Sequence, residues 1–202
     1  EDYLITHAED DTCLGILIAF HTGIRLGELC ALTWECIDLE ESVLSIKRSM
    51  QRTSGKIEAG KTEIVLQEPK SLTSLRSIPL PPVLLPFLKQ YRQPDPCYVI
   101  RGKKKPFAEP RTVQYRFSKI LKQCQCEDFH FHMLRHAFAT RCIDMGFDVK
   151  SLSEILGHSN VQITMNLYVH STMQRKKQLM NLFTAKPPEE MQYPPLSYNT
   201  SE

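Results

Sequence analysis

The segment Phe129-His130-Phe131-His132-Met133-Leu134-Arg135-His136 has residue types and a spacing that suit phosphate chemistry. One helical turn separates His132 from Arg135, which puts both on one face. An imidazole beside a permanent guanidinium suits a phosphate that gains charge during reaction. The same spacing also fits a solvated helix face with a satisfied histidine, so the pair alone decides nothing. Three further segments carry related residues. Thr22-Gly23-Ile24-Arg25-Leu26-Gly27-Glu28-Leu29 sets an arginine in a glycine-flanked turn between an apolar run and a short helix. Pro69-Lys70-Ser71-Leu72-Thr73-Ser74-Leu75-Arg76-Ser77-Ile78-Pro79-Leu80 sets a lysine at a turn before a short strand. Leu156-Gly157-His158 is followed ten residues later by Tyr168, inside Asn166-Leu167-Tyr168-Val169-His170.

The order Arg25, Lys70, His132-x-x-Arg135, His158, Tyr168 resembles that of the tyrosine recombinase (phage integrase) family. The resemblance runs over roughly residues 10 to 183, and its wording is most similar to integrases of mobile elements, such as conjugative transposons, from Gram-positive bacteria. It implies a mainly helical α+β catalytic domain with a small antiparallel three-stranded sheet. It also implies a core-binding domain, often with an arm-binding domain, on the N-terminal side of this segment.

A phosphodiester repels nucleophiles, so fixed cations must hold its non-bridging oxygens and absorb the charge that builds up. Arg25 and Arg135 can each give paired N–H donors, and His132 and His158 add hydrogen bonds. The competing readings are a turn arginine paired to Glu28 and a histidine that caps a helix. Tyr168 is the expected nucleophile. A free phenol has a pKa of about 10 and is barely ionised near neutral pH. Clustered positive charge eases its ionisation, and His132 is the expected base. The resemblance implies a 3′-phosphotyrosine link, a 5′-hydroxyl leaving group and Lys70 as the proton donor. Lys61 competes, but Lys70-Ser71-x-x-Ser74-x-Arg76-x-Ile78-Pro79-Leu80 matches the family's hairpin. The covalent link conserves the bond energy, so strand exchange and re-ligation need no ATP, and no cofactor or metal is expected. No G-x-x-x-x-G-K-[ST] loop and no carboxylate cluster for two-metal cleavage is present. Ala137 stands where the family often has Thr, a small and harmless departure. Tyr3, Tyr91, Tyr98 and Tyr115 lack a partner motif and are expected as partly buried core residues.

At 202 residues and 42% hydrophobic content, the chain can bury one core. It is expected to divide into a catalytic domain, residues 1–183, and an irregular proline-containing tail, residues 184–202. There is no signal-peptide pattern and no apolar run long enough for a membrane span. Seven cysteines without disulfide spacing fit an intracellular, reducing setting, and the resemblance implies a bacterial cytoplasm with nucleoid association. Cys13, Cys30 and Cys142 read as core fillers. Cys124 and Cys126 with His130 and His132 tempt a zinc reading, but both pairs are spaced too tightly.

The net charge of +2 is small, so distribution matters more than total. Arg101, Lys103, Lys104 and Lys105 form a basic run at a turn, and Arg111, Arg116, Lys119 and Lys122 come next on a helix. They are the expected contacts to double-stranded DNA, against a solvated surface as the plain alternative. Acidic residues at 9–11 and 35–41 are expected away from DNA. Other protomers are the second expected partner, through an amphipathic C-terminal helix over 172–183 that either docks on a neighbour or packs on its own domain. Two functional alternatives stay open: a type IB topoisomerase-like enzyme, and a non-catalytic DNA-binding regulator on the same fold.

The elements that must position these residues are set by periodicity and stop signals. Helices are expected at 10–21, 27–32, 83–91, 111–124, 133–145, 149–156, 160–167 and 172–183. Asp148 and Ser159 are expected caps, and Gly146 a helix end. Strands are expected at 43–50, 64–66 and 76–80, with Cys97 to Ile100 extended.

Overall fold

Residues 11 to 22 are apolar on almost every side, so the helix they form has to be surrounded by the rest of the chain. Leu14, Ile16, Leu17, Ile18 and Ala19 are buried at its centre. The computed structural model describes residues 1–54, 62–67, 75–168, 177, 180 and 181. In chain order the elements are α1 (Asp2–Thr6), α2 (Asp11–Thr22), α3 (Leu26–Cys30), a 3-10 turn (Trp34–Cys36), β1 (Ile37–Asp38), β2 (Val43–Ile46), β3 (Ser49–Ser54), β4 (Thr62–Gln67) and β5 (Arg76–Pro79). Then come α4 (Leu85–Gln90), α5 (Pro110–Gln123), α6 (His132–Asp144), α7 (Val149–Leu156) and α8 (Val161–Tyr168). The chain divides into two units, Glu1–Leu167 and Tyr168–Glu202. The first holds every site residue with a described side chain. In the second, Lys177, Met180 and Asn181 are helical, and the rest of the expected helix at 172–183 lies outside the described residues.

The helices from α2 to α8 fall within two residues of their expected bounds. Asp10 caps α2, accepting from the N–H groups of Thr12 and Cys13 at 2.9 and 3.0 Å. Asp148 caps α7, accepting from Ser151 N–H at 2.9 Å. The expected cap at Ser159 is corrected by one residue. Asn160 accepts from Gln162 N–H at 2.8 Å, because its carboxamide oxygen has the reach to close an Asx turn. Helix α1 is additional to the expected set, being too short to show a period in sequence.

The sheet differs from expectation in its parts. Residues 43–50 are two strands rather than one. Leu44, Ile46 and Met50 are buried on one parity, but Arg48 occupies the intervening core position. The strand breaks at the exposed pair Lys47 and Arg48. Strand β2 pairs antiparallel with β1 and β5, with Leu44 opposite Ile78 and Ile46 opposite Arg76. Strands β3 and β4 form a separate antiparallel ribbon, Ser49 opposite Gln67. Glycine at 27 lets α3 lie against that ribbon, since a Cβ there would meet Met50 O at 2.6 Å.

Tyr115 corrects its expectation. It is 61% exposed, because it faces away from Val113 and Phe117, the buried face of α5. Tyr3, Tyr91 and Tyr98 are half-buried against the core.

Candidate active site

Two helices end in left-handed glycines and so leave carbonyls that only an outside donor can satisfy. Helix α2 stops at Gly23 (φ 66°) and α7 at Gly157 (φ 63°). At the α7 end the N–H of His158 reaches back to Ser153 O at 3.1 Å, while Gly157 N–H bonds Glu154 O at 3.0 Å. This closure turns the chain sharply, so His158 leaves at the rim of the helix end.

Three arginines fill the donor role. Arg135, from α6, donates Nη1 to Gly23 O at 2.7 Å and Nη2 to Leu156 O at 2.6 Å. Arg25 donates Nη2 to Gly157 O at 2.9 Å. Arg76, from β5, donates Nε to Ile155 O at 2.6 Å. Residues 155, 156 and 157 thus each accept from a different guanidinium. Cations at a helix C-terminus are favoured by the dipole as well as by the free carbonyls.

Glu28 ties two of the arginines together. Its carboxylate accepts from Arg25 Nη1 at 2.9 Å and Arg25 backbone N–H at 2.8 Å. It also accepts a bidentate pair from Arg76, Nη1 at 2.9 Å and Nη2 at 2.8 Å. Burial raises the Glu28 pKa, but the hydrogen bonds and charge of Arg76, then those of Arg25, prevail and hold it below the ordinary value. The pairing of Arg25 with Glu28 is therefore present, and it does not remove Arg25 from the pocket. Two of the five N–H donors of Arg25 are used, the same holds for Arg135, and the remainder can bind an anion.

Arg25, His132, Arg135, His136 and His158 line one pocket of about 220 Å³, closed by Ala139, Leu156 and Ile163. Arg25, His132 and Arg135 also face a neighbouring pocket of about 160 Å³ with Gln114 and His130. Arg135 is 6% exposed. Burial, then the adjacent Arg25, pushes its pKa down to about 9, which leaves it charged at neutral pH. Burial, then Arg135, Arg25, Arg76 and His132, pushes His158 down to about 4. Burial, then His136 and Arg135, lowers His132. Both shifts favour the neutral imidazole at pH 7. His158 Nδ1 lies 2.8 Å from the buried hydroxyl of Thr164, and the His132 and His136 rings meet edge to face at 4.6 Å. Arg76, His136 and Thr164 carry no functional signal of their own in the sequence, and Glu28 shows there only as a partner for Arg25.

Two expected site residues are not placed by what the structure describes. Lys70, like Lys61, is outside the described residues. Tyr168 closes α8, and its side chain is outside them too. Among the described residues no group of three or more His, Cys, Asp or Glu is disposed to hold a metal.

The basic segment forms a second concavity of about 490 Å³, with Lys103, Lys104, Lys105, Phe107, Tyr115, Arg116 and Lys119 in its wall. Its charges are not equally available. Lys105 pairs with Glu109 at 2.7 Å, and Arg101 and Arg116 pair with Asp11 at 3.4 and 3.5 Å. Asp11, expected away from the basic surface, thus sits within it, because it lies at the start of α2 beside that loop. Lys103, Lys104, Arg111 and Lys119 have no acidic partner among these pairs; Lys103 and Lys104 are exposed, and Lys119 sits 4.7 Å over the Tyr115 ring. No helix among the described residues is long and apolar enough to cross a membrane.

Comparison with known proteins bears on the family and the fold. The phage integrase family profile matches residues 3–175. A tyrosine recombinase XerC-like protein of Caldanaerobacter subterraneus subsp. tengcongensis is 32% identical over 178 residues, 79% of this chain and 46% of that protein. Tyrosine recombinase XerA of Pyrococcus furiosus is 31% identical over 169 residues, 81% of this chain and 51% of that protein. The chain therefore spans about half the length of these relatives. Among solved structures, the Tn1549 transposon integrase in complex with circular intermediate DNA aligns with TM-score 0.70 at 24% identity, over 85% of this chain and 59% of that one. The crystal structure of XerA recombinase aligns with TM-score 0.61 at 23% identity, over 92% and 61%. Those two likenesses speak for the fold; the family profile, which matches most of the chain, places it in the phage integrase family.

Proposed function

We propose that this chain is the catalytic domain of a site-specific DNA recombinase, spanning residues 1–183, that breaks and rejoins strands through Tyr168. The observation that carries the reading is the single pocket in which Arg25, His132, Arg135 and His158 meet. Among the described residues, counting Arg76 behind it, three guanidinium groups stand against one carboxylate. That excess suits a phosphodiester and the extra negative charge of its transition state.

In this reading the scissile phosphate bridges Arg25 and Arg135. His158 donates from Nε2 in the tautomer whose Nδ1 accepts the Thr164 hydroxyl. His132 is neutral and free to take the phenolic proton as Tyr168 attacks phosphorus. The P–O bond to the 5′ oxygen breaks, and Lys70 protonates that oxygen. The 3′-phosphotyrosine conserves the bond energy, and attack by another strand's 5′-hydroxyl regenerates the phenol. Double-stranded DNA is the substrate, and Lys103, Lys104, Lys105, Arg111, Arg116, Lys119 and Arg101 supply phosphate contacts. Partner protomers would engage through 172–183. Excision and integration of a mobile element in a bacterial cytoplasm is the biological setting, supported by the likeness to a transposon integrase.

The test is incubation with a nicked duplex whose cleaved fragment diffuses away, followed by a denaturing gel. A covalent protein–DNA band is expected. A chain that binds the duplex and forms no such band is a DNA-binding regulator instead. Exchange between two duplexes separates a recombinase from a topoisomerase-like enzyme, which would only relax supercoils.

A further inference from the structure

We propose that Arg76 is a positioning residue for this pocket: its guanidinium fixes Arg25 through Glu28 and fixes the end of α7, and with it His158, through the Ile155 carbonyl. The proposal rests on the phosphate reading of the pocket. Arg76 does not line the pocket itself. Its side chain is 6% exposed and that of Glu28 5%.

Three directed contacts use all three of its nitrogens, Nε to Ile155 and Nη1 and Nη2 to Glu28. The carboxylate so held presents one oxygen to Arg25 Nη1 and the other to the Arg25 backbone. Arg25 is 40% exposed at its side chain, so Glu28 and the Gly157 carbonyl are what hold it at the pocket. The α7 arm is equally direct. A Cβ at Gly157 would meet Arg76 Nη1 at 2.9 Å and Cδ at 3.0 Å. The guanidinium thus packs on the residue that separates the Leu156 carbonyl from His158.

Stability alone does not account for this arrangement. A buried ion pair roughly breaks even against apolar residues of like volume, because desolvation offsets the attraction. What such a pair adds is geometry, and geometry is what a phosphate pocket needs.

Arg76→Lys keeps the charge but cannot span a carboxylate and a carbonyl at once. In the full 202-residue chain its single-turnover adduct formation on the nicked duplex should fall about a hundredfold, with affinity for uncleavable DNA unchanged. The Arg25 and Arg135 side-chain N–H signals in NMR should shift and exchange faster. A folded Arg76→Lys variant with both signals unmoved, or with binding lost as much as cleavage, overturns the proposal. Should that variant not fold, the unmodified chain still decides. Its Arg76 guanidinium protons should be distinct and slow to exchange, and free rotation there overturns the proposal. If the unmodified chain forms no adduct, the recombinase reading fails, while these signals still judge Arg76 separately.

Discussion

Arg25 and Arg135 come from positions 110 residues apart, yet each spends two donors on helix ends or Glu28 and keeps the others for the pocket. Replacing either by alanine should lower the cleavage rate about a hundred- to a thousandfold, the usual loss for one charge stabiliser, as read by single-turnover adduct formation. His158 gives a pH prediction. Its pKa in the fold is about 4, below the ordinary 6.5, with burial the first cause and the arginines next. Between those values the unfolded chain binds more protons than the folded one. Folding stability should therefore fall as pH drops from about 6.5 towards 4, and His158→Asn should flatten that slope in melting curves. Residues with a motif around them are legible from sequence. Arg76 is not, because it lies within the lysine's motif and its carboxylate and carbonyl partners are 48 and 79 residues away.

Helix ends do most of the positioning. Gly23 and Gly157 both take positive φ, and a Cβ at Gly23 would also meet Phe138 at 2.5 Å. Gly157→Ala should cost about 1–2 kcal/mol from its left-handed backbone alone, with added loss from crowding Arg76. Thermal melts and adduct assays should both register it. Asp10→Ala should cost about 1 kcal/mol by removing the α2 cap, and should leave the cleavage rate per folded molecule unchanged. Helices are readable in the sequence because their apolar faces and stop signals are local. The sheet is less so. Whether residues 43–50 run on as one strand depends on Arg48, whose exposure is decided by what lies across from it, and no local pattern carries that information.

Across the molecule, the basic concavity at 102–119 and the arginine pocket draw on one helical layer, since α5 lends Lys119 to the first and Gln114 to the cavity beside the second. Lys103 and Lys104 are exposed there while Arg101, Lys105 and Arg116 are paired with carboxylates. Reversing Lys103 and Lys104 to Glu should weaken DNA binding at low salt and lower the salt slope by about one per lost phosphate contact. Arg101→Ala should change it less. The charge run shows in the sequence, but the neutralising role of Asp11 does not, since it comes from a segment some 90 residues away. Whether Tyr168 attacks a phosphate held by Arg25 and Arg135 is decided by trapping the adduct, digesting it, and mapping by mass the peptide that carries nucleotide. A modified peptide containing Tyr168 is expected, with no adduct from a Tyr168→Phe chain that still binds DNA. A nucleotide on any other residue, or an undiminished adduct from Tyr168→Phe, would contradict it.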